Sequence, residues 1–69
     1  MAGENFERVQ RADKVLRLYA EIEGSEAYED DAEALLCDLL ADLRHWAHEN
    51  YIDFHSRNAM AEVHYQEEK

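Results

Sequence analysis

Apolar residues recur along this chain with a helical period. Phe6, Val9, Ala12, Leu16 and Tyr19 follow i, i+3, i+4 spacing, and Val15 and Ile22 widen the stripe. Asn5 is a suitable N-cap and Gly24 a suitable residue just past a C-terminus, so the pattern predicts a first helix over about 5–23. Gly24-Ser25 is the one strong internal break, because the chain has no proline and its other glycine is at position 3.

The second stripe is the clearest. Ala32, Leu35, Leu36, Leu39, Leu40, Leu43, Trp46 and Ala47 run almost unbroken along one side of a predicted helix over about 30–49. Asp30 is placed to cap its start, with Glu33 three residues on in a capping-box arrangement, and Asn50 to stop it. Trp46 is expected in the core. A third, more polar helix is predicted over about 53–67, with Asp53 as N-cap. Phe54, Ala61 and Tyr65 share one face of it, with Met60 and His64 alongside, so this helix is expected to cover the other two. Short connections favour antiparallel neighbours. The expected fold is all-α, a small three-helix bundle in one domain spanning 1–69.

Composition changes this picture by adding a sign. The chain carries 17 acidic and 7 basic residues, a formal charge of −10. Residues 1–23 are nearly balanced, with four basic and five acidic side chains, whereas residues 24–69 hold three basic and twelve acidic ones. Such a surface repels DNA, RNA and anionic membranes and favours cationic partners. A domain of 69 residues is also near the lower limit for folding alone, so self-association or partner binding would add needed burial. Cys37 is the single cysteine, so no disulfide closes within the chain. With no apolar signal region in MAGENFERVQ and no membrane-length run, the expected setting is the cytoplasm.

Three of the four histidines lie in DLRHWAHENYIDFH, beside three carboxylates, which raises the question of a metal or acid–base site. His45-Trp46-Ala47-His48-Glu49 is not HExxH, and although His45 and His48 could share an ion, His55 lies past a turn and Cys37 nearly three turns from His48. Asp38/Asp42 and His45/Glu49 are reachable i, i+4 pairs, but they face water and lack the burial that tunes a catalytic pKa. No phosphate loop or nucleophile elbow is present. No catalytic residue, metal ligand or cofactor is therefore expected, and the chain is expected not to be an enzyme.

Two surfaces of the second helix are candidates for binding instead. Glu29, Asp30, Asp31 and Glu33 crowd its start, where the helix dipole favours negative charge, and Asp38, Asp42 and Glu49 continue the line down the face opposite the apolar stripe. A rigid row of carboxylates can imitate a phosphate backbone to a cationic groove, or it can simply keep a small protein soluble. Beside it, Ala34, Cys37, Ala41 and His48 form a strip of mostly small residues on which another helix could approach, the candidate self-association surface for a homodimer. Tyr28 either flanks the acidic surface or covers the first turn of the helix.

The stretch DLLADLRHWAHENYIDFHSRNAMAEVHYQEE resembles the C-terminal half of small acidic open reading frames carried by phages, plasmids and integrated elements. Those show the order DLL-x-DL-x-HW, then IDF, then HY followed by glutamates, matched here by Asp38, Leu39, Leu40, Asp42, Leu43, His45, Trp46, Ile52, Asp53, Phe54, His64 and Tyr65. The resemblance implies a mobile-element origin and, by class, an anti-defence role such as that of anti-CRISPR proteins, which block nucleic-acid-binding surfaces or subunit contacts. The expected function is a non-enzymatic inhibitor whose acidic surface occupies a basic surface of a protein or nucleoprotein complex. A homodimeric structural or regulatory accessory protein is the alternative.

Overall fold

The computed structural model describes residues 2–24 and 31–69, with side chains from Asn5 onward. Among the described residues the chain forms three α-helices and no strand: α1 (Ala2–Glu23), α2 (Ala32–Glu49) and α3 (Phe54–Glu68). It is a small all-α three-helix bundle, as the apolar periodicity predicts.

The helix ends show which local signals act. α1 starts at Ala2, so Asn5 lies inside the helix instead of capping it. Nothing in the preceding residues prevents another turn, and alanine and glutamate favour one. At the other end Gly24 takes a left-handed φ of 73° and its N–H donates to the Glu21 carbonyl at 3.0 Å, the expected glycine stop. α2 is capped by Asp31, whose Oδ1 accepts from the Ala34 N–H at 3.0 Å. The expected cap, Asp30, lies outside the described residues. With the cap at Asp31 the N3 position falls to Ala34, so Glu33 cannot close a capping box and acts only through its charge in the first turn. Asp53 caps α3 as expected, accepting from the Ser56 N–H at 3.1 Å.

α2 ends in a two-bond reversal. The Ile52 N–H reaches the Ala47 carbonyl at 2.8 Å and the Tyr51 N–H reaches the His48 carbonyl at 3.2 Å. That is the Schellman pattern, in which the residue after the cap adopts the left-handed conformation. Asn50 is the cap, and its side-chain amide donates to the Trp46 carbonyl at 2.8 Å. The left-handed position itself is Tyr51, with φ 58° and 98% of its surface exposed. A side chain there costs about 1 kcal/mol relative to glycine. Tyr51→Gly is therefore expected to raise stability by about 1 kcal/mol in urea unfolding, with the helical content unchanged.

The core is smaller than the apolar stripes suggest. Ala20 of α1 and Leu35 and Ala47 of α2 are buried, and Leu16, Tyr19, Leu39 and Phe54 are half-buried. Leu35 is fully enclosed at 0%, whereas its neighbour Leu36 is 48% exposed. Phe6, Val9, Leu40, Leu43, Trp46 and Tyr65 are also exposed, which corrects their expected burial. Ala61, expected on the covered face of α3, is exposed as well. The reason is geometric. The apolar stripe of α2 is wider than its neighbours cover: α1 meets α2 along the flank of Leu35 and Asp42, and the turn into α3 closes over Ala47. Between these contacts Leu36, Leu40 and Leu43 stay open.

The outline agrees with this uncovered surface. The Cα extents are 34 × 34 × 16 Å, a flat shape, and the radius of gyration is 13.6 Å where a compact chain of this length would have about 11 Å. The accessible surface of 6008 Å² exceeds that of a typical folded monomer of this size by about 1,500 Å². At the far end Arg8 of α1 holds Glu68 of α3 at 3.2 Å, a half-exposed ion pair that ties the two helices together.

Candidate interaction surface on the second helix

Leu35 and Ala47 turn inward, and the strip Ala34, Cys37, Ala41 and His48 on the opposite side of α2 is exposed. Asp38, Asp42, His45 and Glu49 are exposed on the flank between that strip and Leu35, with Asp42 seven residues from Leu35 and almost in line with it. Each follows from the helical period: these positions lie between a quarter and half a turn from the apolar stripe at about 100° per residue. Asp38 and Glu49 take no ion-pair partner among the described residues. Asp31 and Glu33 are exposed at the helix start, with Asp31 occupied as the cap. Glu29, like Asp30, lies outside the described residues, so the upstream end of the predicted acidic line has no described geometry.

Asp42 departs from the expectation that it only faces solvent. The Tyr19 hydroxyl of α1 donates to its Oδ2, making Asp42 the acceptor of the hydrogen bond that joins α1 to α2. Its carboxylate stays exposed, so it still contributes charge to the outer face. The periodicity of α1 marks Tyr19 only as part of the apolar stripe. The clue available in the sequence is that an aromatic hydroxyl on a helix–helix contact needs a polar partner.

That hydrogen bond sets the tyrosine's acidity. Donation to the Asp42 carboxylate, followed by partial desolvation and the negative charges of Asp42 and Glu23, raises the Tyr19 pKa well above its ordinary value of 10.0. A group with a raised folded-state pKa stabilises fully below its unfolded pKa and loses that contribution as pH climbs through the folded value. Wild-type protein is therefore expected to lose stability above about pH 10, more steeply than Tyr19→Phe. Thermal unfolding of both proteins between about pH 9 and about pH 11 checks this.

Among the described residues no three His, Cys, Asp or Glu side chains are placed to hold an ion, and His45 and His48 are both exposed. Cys37 is exposed and free. Among the described residues no helix is long and apolar enough to cross a membrane. Compared with protein-family models, with curated proteins and with solved structures, the chain matches none.

Proposed function

We propose that the chain is a non-enzymatic interaction protein, an inhibitor of the mobile-element, anti-defence type, whose α2 outer face occupies a basic surface on a nucleic-acid-binding protein or nucleoprotein complex. The observation that carries this reading is the exposed row Asp38, Asp42 and Glu49 on one rigid helix, in a chain of charge −10. A helix holds such charges in fixed register, so none of the ordering cost of a flexible acidic tail is incurred on binding. The row spans roughly 16 Å at 1.5 Å per residue, whereas one nucleic-acid strand carries a charge about every 3.4 Å. The face therefore matches a short run of basic side chains, not a whole duplex-binding channel.

The test is capture from a bacterial lysate on the immobilised chain, followed by challenge with duplex DNA. The expected binder is a nucleic-acid-binding protein that DNA displaces. Binders that ignore excess DNA and bind no nucleic acid contradict the reading.

A second reading, a homodimeric accessory protein using the strip Ala34, Cys37, Ala41 and His48, is favoured by the exposure of that strip together with the surplus surface. Ala41→Arg puts a charge at its centre and is expected to dissociate such a dimer in sedimentation.

A further inference from the structure

A row of apolar side chains on α1 stands uncovered beside the side that faces α2. Val15 is 50% exposed, Leu18 56% and Ile22 75%. At about 100° per residue they lie together, roughly a third of a turn round from Leu16, Tyr19 and Ala20, which face α2. With Arg11 they follow a 4-3-4 spacing, the spacing of a coiled-coil seam. Leu18 belongs to this seam and not to the stripe that packs inward.

The charges beside the seam say what covers it. Lys14 and Glu21 flank it on the side away from α2, seven residues and roughly 10 Å apart, too far to pair with each other. We infer that α1 packs antiparallel against α1 of a second copy of this chain, a two-fold dimer seamed by Val15, Leu18 and Ile22 and closed by Lys14–Glu21 pairs between the copies. In antiparallel register Val15 faces Leu18 of the second copy, and Ile22 faces the aliphatic stem of its Arg11. The same register sets Lys14 opposite Glu21 of the second copy, and the two-fold axis repeats every contact. A parallel pairing would instead bring Lys14 beside Tyr19 of the second copy and leave both charges unmatched. The other flank of the seam, Ala12 and Tyr19, is the side turned toward α2.

The chain as a whole exposes about 1,500 Å² beyond a typical monomer of its size, and the exposed Val15, Leu18 and Ile22 contribute to it. The seam lies on a different helix from the acidic row, so the dimer stands or falls independently of the inhibitor reading.

Reciprocal charge reversal tests it by sedimentation equilibrium over a micromolar to millimolar range. Wild-type chain is expected to show a monomer–dimer equilibrium. Lys14→Glu and Glu21→Lys are each expected to weaken self-association about tenfold, since both inter-copy pairs become repulsive. Mixed in equal amounts, these two variants regain both complementary pairs and should form a heterodimer as strong as the wild-type dimer. Leu18→Asp should be monomeric with its helical circular dichroism intact, and Ala41→Arg should dimerise normally. A wild-type chain that stays monomeric overturns the inference. So does a mixture of the two charge variants that associates no better than either alone, or a dimer broken by Ala41→Arg and spared by Leu18→Asp.

Discussion

Leu35→Ala is expected to destabilise the fold by about 3 kcal/mol and lower Tm by roughly 10–25 °C, because it empties a large, fully enclosed position. Truncating a buried leucine loses the transfer energy of its methyl groups and leaves a cavity that neighbours fill only in part. Among the described residues the other buried side chains are the small alanines at positions 20 and 47. A domain this small has a narrow margin of stability, so the variant should be largely unfolded near body temperature. Leu36→Ala supplies the contrast. It removes the same atoms from the next residue along, but that side chain is already half in water, and the expected cost is below about 1 kcal/mol. Urea melts of the two variants separate the cases. Equal losses would mean that the α2 stripe is buried evenly in solution.

The second large effect concerns binding. Combining Asp38→Asn, Asp42→Asn and Glu49→Gln is expected to weaken capture of the cationic partner roughly a thousandfold, taking about 1.5 kcal/mol for each close charge pair. Amides keep the shape of the face, and the amide carbonyl introduced at position 42 can still accept from the Tyr19 hydroxyl, so folding is spared while the charge is removed. Neutralising Glu62 and Glu67 on α3 changes the net charge almost as much and is the control. If that variant loses affinity equally, overall acidity governs binding and the α2 row has no special part. Isothermal titration against the captured partner reads both.

The fold is legible in the sequence because helix type and helix order depend on local period and breaks, and this chain has one glycine break, one Asn-Tyr reversal and no proline. The α2 cap is readable to within a residue, since Asp30 and Asp31 offer the same chemistry and only the geometry chooses between them, whereas the α1 start lies upstream of the expected cap Asn5. Burial is not readable from the stripe. Leu35 and Leu36 are equivalent in any periodicity count, yet one is enclosed and the other open, because enclosure depends on where the neighbouring helices cross. Trp46 illustrates the same limit: it lies on the apolar side of α2 but stays more than half exposed.

The candidate surface divides in the same manner. The outward placement of Asp38, His45 and Glu49 follows from the helix wheel alone, whereas the bond from Tyr19 to Asp42 joins residues 23 apart in sequence and needs the packed structure. The role of Tyr51 is hidden because residue preference assigns a left-handed position to glycine or asparagine, and Asn50 precedes it with φ −101°. The α1 seam is hidden because Val15 and Ile22 look like a widening of the inward stripe until Leu18 is placed between them.

The affinity of the chain for its captured partner, measured across a series of salt concentrations, tests the acidic-face reading most directly. At about 1 M salt the screening length shrinks to about 3 Å, so an interface held by Asp38, Asp42 and Glu49 should weaken steeply between low and high salt, and its association rate should fall with it. An affinity that stays flat across the series would place the binding energy in apolar contacts and contradict the proposal.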